Sequence, residues 1–248
     1  MIIDAYTHCG LEKFRPFPEV QEMMAAVGID RAVLVQHLGQ YDNSYIAGCV
    51  KSAPDAFVGV AMIDATHPGA HDALAEVIDT GAFRGLRMSA DMLMAAPAIA
   101  SRALEAGLHV ILYCPEGTED IESVLPTLGA GPGRIVVTHL GSPTVEHGSL
   151  KRGRGVLRLV ADERVMITLS GAGMVCDPPH LPLRELVRDV VNGFGPDRVM
   201  WASNFPVVGD AAAVAADLAL VTSNGWGLSK ESIKMISGVV AQRTWFDS

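Results

Sequence analysis

Eight times along this chain a short run of β-forming, mostly apolar residues gives way to a stretch with apolar side chains at helical spacing. That alternation constrains the fold more than any other feature. The strands fall at 2–8, 31–37, 57–64, 83–89, 109–114, 134–140, 165–170 and 198–202. Helices are predicted at 18–28, 44–52, 71–80, 97–106, 119–128, 150–162, 183–192 and 211–222, with another at 230–242. The run Arg31-Ala32-Val33-Leu34-Val35 is apolar on both faces, as a parallel strand covered on both sides must be. Eight such units in 248 residues fit the α/β class and a single (β/α)8 TIM barrel, whose usual length is about 250 residues. No GxGxxG follows the first strand, which argues against a doubly wound dinucleotide fold. Turn signals such as Gly28-Ile29-Asp30 and Gly195-Pro196-Asp197 join helices to strands without a linker, so 1–248 is expected to be one domain.

Composition narrows the partners. With 49% hydrophobic residues the chain can bury a large core, and a formal net charge of -9 leaves no basic stripe for nucleic acid. Cys9, Cys49, Cys114 and Cys176 lie far apart with no CxxC spacing, which fits reduced thiols better than a zinc knuckle or a disulfide framework. No secretory signal and no membrane span is evident, so a soluble cytoplasmic protein acting on a small-molecule substrate is expected. A homo-oligomer is compatible with this reading.

In a barrel of this kind chemistry gathers at the C-terminal ends of the strands. Those ends carry Tyr6 and His8, His37, Asp64, Arg87 and Ser89, Tyr113 and Cys114, His139, Ser170, and then Ser203 and Asn204. Strict alternation along the first strand would put Asp4, Tyr6 and His8 on one face, toward the barrel interior. Asp42 with Asn43 is placed to cap the following helix, and the cluster Lys151-Arg152-Gly153-Arg154 reads as a solvated helix face. A helix start beyond Cys114 could activate its thiol, but Glu116 and Glu119 oppose this.

Three of these segments together resemble the amidohydrolase superfamily, in its amidohydrolase-2 branch of lactonases and decarboxylases. They are Ile3-Asp4-Ala5-Tyr6-Thr7-His8, Val136-Val137-Thr138-His139-Leu140-Gly141 and Pro196-Asp197-Arg198-Val199-Met200-Trp201-Ala202-Ser203-Asn204-Phe205-Pro206. The resemblance runs the length of the chain and implies the same barrel. Metal-binding members carry Asp-x-His-x-His on the first strand, histidines ending the fifth and sixth, and an aspartate after the eighth. This chain has Tyr6 and His8, Tyr113, His139 and Asn204 in those places.

The departures carry the functional expectation. His8 and His139 alone do not make the three-ligand set of a catalytic zinc site, and neutral Tyr and Asn are poor ligands, so no metal and no cofactor is expected. Asn204 cannot accept the proton that the family's aspartate takes from water, which leaves His37 as a reserve base. His8 and His139 are the candidates for carbonyl polarisation or acid–base work, and Tyr6 and Tyr113 for oxyanion stabilisation. Arg87 matches a strand-four arginine that reaches a substrate carboxylate in similar lactonases, with His37 and Ser170 as further ligand contacts. The resemblance thus implies a metal-independent hydrolase of a lactone or related small cyclic carboxylic acid. The alternatives are a repurposed cyclase, dehydratase or decarboxylase, and an inactive ligand-binding paralogue.

Overall fold

A computed structural model describes residues 1–247. Eight parallel strands form the barrel in the order β1 (Ile3–Thr7), β2 (Arg31–Val35), β3 (Phe57–Ala61), β4 (Phe83–Ser89), β5 (His109–Tyr113), β6 (Ile135–Val137), β9 (Val165–Leu169) and β10 (Val199–Trp201). Helices α1 (Phe17–Val27), α2 (Ser44–Ser52), α3 (Ala70–Asp79), α4 (Ala90–Ala95), α5 (Pro97–Glu105) and α6 (Arg184–Phe194) lie between them in the chain, and α7 (Ala211–Thr222) follows β10. Helix α1 shows why these segments fold as they do. Phe17, Val20, Met23 and Met24 recur at helical spacing and are buried, and Gly28 ends the helix in the left-handed region at φ 81°.

Each strand is buried on both faces. Val33, Val35, Val58, Val60, Ile111, Val136, Met166 and Met200 fill the interior, while neighbours such as Leu34, Leu86, Val110 and Ile135 pack under the helices. Burying one such side chain is worth about 1.5–3 kcal/mol. The N-terminal mouth of the barrel is stoppered by the C-terminal segment. Helix α8 (Lys230–Lys234) runs into two π-turns, Met235–Val239 and Gln242–Phe246, and Val240, Ala241 and Trp245 enter the inner cluster.

The seam between β10 and β1 closes through the residues that follow the strands. The Asn204 N–H donates to the Tyr6 carbonyl and the His8 N–H to the Phe205 carbonyl, both at 2.9 Å. Asp4 joins the same seam, accepting the Ser203 N–H at 2.8 Å and the Ser203 hydroxyl. The single inward face expected for Asp4, Tyr6 and His8 is therefore broken. The β1–β2 register shifts between Asp4 and Thr7, so Ile3, Ala5 and Tyr6 all pack inside while Asp4 turns to the seam.

Other departures are local. In place of a helix over 119–128 the chain makes two 3-10 turns, Ile121–Ser123 and Leu125–Thr127, because Pro126 supplies no N–H. Over 150–162 the expected helix gives way to a hairpin, β7 (Thr144–Glu146) with β8 (Ser149–Arg152), followed by a 3-10 segment Arg154–Ala161. Gly153, at φ 138°, makes the break. Lys151 and Arg152 thus lie on a strand, and Arg152 and Arg154 are paired with Glu116, Glu185 and Asp189. Helix α4 was not expected; Ser89 starts it by accepting the Met92 N–H at 3.2 Å. No helix among the described residues is long and apolar enough to cross a membrane.

Candidate active site

At the C-terminal ends of the strands a cavity of about 210 Å³ is lined by Tyr6, His8, Lys13, Phe14, His37, Leu38, Arg87, Tyr113, His139, Met174, Asn204 and Val207. It is smaller than a cavity at the other mouth of the barrel, but it is where polar side chains from most of the strands converge. Seven of the eight predicted site residues line it. The eighth, Ser170, lies one layer back and touches His139.

Each histidine is anchored through Nδ1. His8 Nδ1 sits 2.6 Å from the Val35 carbonyl, an acceptor only, so this nitrogen carries a proton. Burial, with the nearby Arg87 charge adding, holds His8 well below the ordinary imidazole range, so the ring is neutral and Nε2 presents a lone pair. His139 Nδ1 lies 2.9 Å from the Ser170 hydroxyl, which also accepts the His139 N–H at 3.2 Å and touches Thr168 Oγ1 at 2.8 Å. Burial, again with Arg87, pushes His139 down to about 3.

His139 begins a left-handed turn. Its φ is 55°, and Leu140, Gly141 and Ser142 follow at 55°, 72° and 57°. Three of these four carry a Cβ that this conformation crowds, at about 1–2 kcal/mol each. The turn is held by the Gly141 N–H on the Thr138 carbonyl and the Ser142 N–H on the His139 carbonyl. Gly171 lies against the ring, and a Cβ there would come within 2.9 Å of His139 Nδ1.

Tyr6 stands between the histidines, its ring edge-on to His8 at 4.8 Å and to His139 at 5.1 Å between centroids. Its hydroxyl is buried without a partner, and burial raises its pKa. Arg87 lies over the Tyr6 ring at 5.6 Å and donates from Nη1 to the Gln36 carbonyl, but its buried Nε has no partner. Tyr6 and Arg87 both line the cavity, so two buried donors without partners belong to its wall, where an acceptor on a ligand can satisfy them. Tyr113 stands 5.9 Å from the His139 ring, and Asn204 donates to the Met174 sulfur at 3.3 Å from a left-handed backbone, φ 54°.

Sequence reasoning missed Lys13, Phe14, Met174 and Val207, whereas Leu38 lies in the loop after the second strand that resembles the family's substrate loop. Phe14 stacks on His8 at 4.5 Å and meets His37 edge-on at 5.6 Å, and Lys13 lies over its ring at 5.6 Å. Only their place in loops that follow strands could have marked them. The remaining strand-end residues have structural partners. Asp64 holds Thr66, Ser203 holds Asp4, and Asp42 accepts the Ser44 N–H at 2.9 Å while Asn43 bonds the backbone of Met62. Burial, with Glu119 adding, pushes the Cys114 thiol up to about 12, which leaves it unreactive.

A family model described as amidohydrolase matches residues 7–245. The chain belongs to this family. Among curated relatives of this amidohydrolase is the L-fucono-1,5-lactonase of Burkholderia ambifaria, 26% identical over 200 residues that span 76% of this chain and 69% of the relative. A zinc-bound amidohydrolase from Burkholderia multivorans superposes with a TM-score of 0.79 at 17% identity, covering 98% of each chain. The putative 2-pyrone-4,6-dicarboxylic acid hydrolase of Pseudomonas putida gives 0.75 at 20% identity over 98% of this chain and 96% of that one. At such identities the likeness to the solved structures shows the barrel alone. Family membership and the lactonase relative make this chain an enzyme.

Proposed function

We propose that this amidohydrolase hydrolyses a lactone or related small cyclic carboxylic acid without a metal ion. The carrying observation is the His8 Nδ1–Val35 contact, which leaves Nε2 of a neutral imidazole open to the cavity as an acceptor. The base that Asn204 cannot supply is His8, in place of the joint polarising role that the sequence assigns to both histidines. His8 Nε2 takes a proton from water as the water oxygen bonds to the acyl carbon. The oxyanion that forms accepts from Tyr6 and from His139, whose Nε2 carries the proton when Ser170 donates to Nδ1. Collapse of the intermediate breaks the ring C–O bond, and the imidazolium of His8 returns its proton to the leaving alkoxide.

Arg87 holds the substrate carboxylate through its free Nε. Its charge is one of the causes that depress His8, so a bound carboxylate offsets that charge and strengthens the base when substrate is present. The donor set does not fit a divalent cation. No group of three His, Cys, Asp or Glu converges among the described residues, and the Arg87 charge reaches both imidazoles.

The replacement of the family base by Asn204 favours a second reading, a non-hydrolytic cyclisation, dehydration or decarboxylation in the same cavity. Turnover of a lactone panel in ¹⁸O-water separates the two. One heavy oxygen in the acid product supports hydrolysis. An active enzyme whose product takes up none, or one that holds about one equivalent of metal and loses activity on chelation, overturns it.

A further inference from the structure

A cavity of about 750 Å³ opens at the N-terminal mouth of the barrel, at the opposite end from the amidohydrolase site. That volume lies within the range of about 300–1,000 Å³ usual for small-molecule sites. Its walls come from the starts of β5, β6, β9 and β10 and from the C-terminal segment, through Val240 between its two π-turns and Arg243 and Thr244 in the second. π-turns are rare and recur at functional sites, because the widened turn redirects side chains.

The charged groups here are unequal. Arg198 is committed to the fold, donating to the carbonyls of Phe194, Val160 and Asp162 at 2.9–3.2 Å. His109 is neutral, with Nε2 donating to the Thr244 carbonyl at 2.6 Å and Nδ1 accepting the Arg134 N–H at 2.9 Å. Arg134 and Arg243 differ from both. Neither guanidinium has a hydrogen-bond or ion-pair partner among the described residues, although the protein carries a net charge of -9. Glu163 and Asp197 line the same space and repel a second negative group. Pro132, Met166, Phe194 and Val240 supply an apolar wall.

We propose that this cavity is a second ligand site, taking a small organic monoanion whose charged group is held by Arg134 and Arg243 and whose apolar body lies on Met166, Phe194 and Val240. A guanidinium suits a carboxylate oxygen edge, and the two carboxylates lining the same cavity disfavour polyanions. The inference does not rest on the reaction at the other end.

The test is a ¹⁹F NMR titration of the full chain with 4-fluorobenzoate, made in an Arg87→Met background so that the amidohydrolase cavity does not hold the probe. Saturable binding at submillimolar concentration is expected, weakened at least about tenfold when Arg134→Met and Arg243→Met are added. Both arginines are exposed, so these changes leave the fold intact by circular dichroism. Acetate should compete more weakly than cyclohexanecarboxylate, a monoanion that carries an apolar body. No saturable binding in the Arg87→Met protein, an affinity unmoved by the double substitution, or equal competition by the two carboxylates overturns the proposal.

Discussion

His8 donates its Nδ1 proton to the Val35 carbonyl across 2.6 Å, and this one bond fixes which nitrogen faces the cavity. His8→Ala and His139→Ala are each expected to lower turnover at least roughly a hundredfold with the fold retained, the usual loss for a removed acid or base. Because His139 is pushed down to about 3 and His8 is also depressed, the acid limb of kcat/KM should lie well below the ordinary imidazole value of 6.5. A pH profile of the free enzyme with a limb at 6.5 would contradict the neutral, buried pair.

Arg87→Met should act mainly on KM, through loss of the carboxylate contact. It should also move the acid limb toward higher pH. The Arg87 charge lowers both histidines, so its removal raises their pKa values. A rise in KM with an unmoved limb would separate ligand binding from the electrostatic effect.

Asn204→Asp is expected to lower the native activity. Asp shares the tolerance of Asn for the left-handed backbone at this position, so the fold is kept. A carboxylate beside His8 and His139 favours their charged forms and competes with substrate for Arg87. Paired assays of both proteins decide, and a gain in lactonase rate would show that the family base can simply be restored.

The seam makes a prediction of its own. Burial pushes Asp4 up to about 7 from 3.8, so between those values the native state holds a proton that the unfolded chain has released. Stability from this group therefore falls as pH rises across that window. His139, depressed to about 3, runs the other way and gains stability toward 6.5, so the wild-type curve alone mixes the two. Asp4→Asn isolates the first. Its stability relative to wild type, measured by denaturant unfolding, should increase steadily from pH 4 to pH 7.

Ser142 holds a left-handed backbone at φ 57° and buries a hydroxyl without a partner. Ser142→Gly should raise stability by about 1 kcal/mol, since relief of both strains outweighs the extra freedom of glycine in the unfolded chain. Thermal unfolding tests this, and a lower Tm would show that the hydroxyl has an ordered partner in solution.

The barrel was legible because its strands are apolar on both faces, a pattern that Val33-Leu34-Val35 and Val110-Ile111-Leu112 show without any alignment. The rule that chemistry sits at strand ends brought out Tyr6, His8, His37, Arg87, Tyr113, His139 and Asn204, which share one cavity. What stayed hidden depends on contacts between distant segments. The register shift after Asp4 answers to Ser203, across the chain, and period-two reasoning has no access to it. Ser170 ends a strand, and the left-handed turn at His139 sets that ring against its hydroxyl, a contact that strand periodicity does not reveal. Lys13 and Phe14 sit in an irregular loop whose path no periodicity describes.

The stopper formed by Val240, Ala241 and Trp245 has a consequence for how the molecule is made. Residues 235–246 leave the ribosome after every barrel strand, so a nascent chain can align its eight strands while their apolar lining still faces water at one end. Sealing waits for synthesis to pass Trp245. Until then the inner cluster lacks the cover that Val240, Ala241 and Trp245 give it in the finished fold.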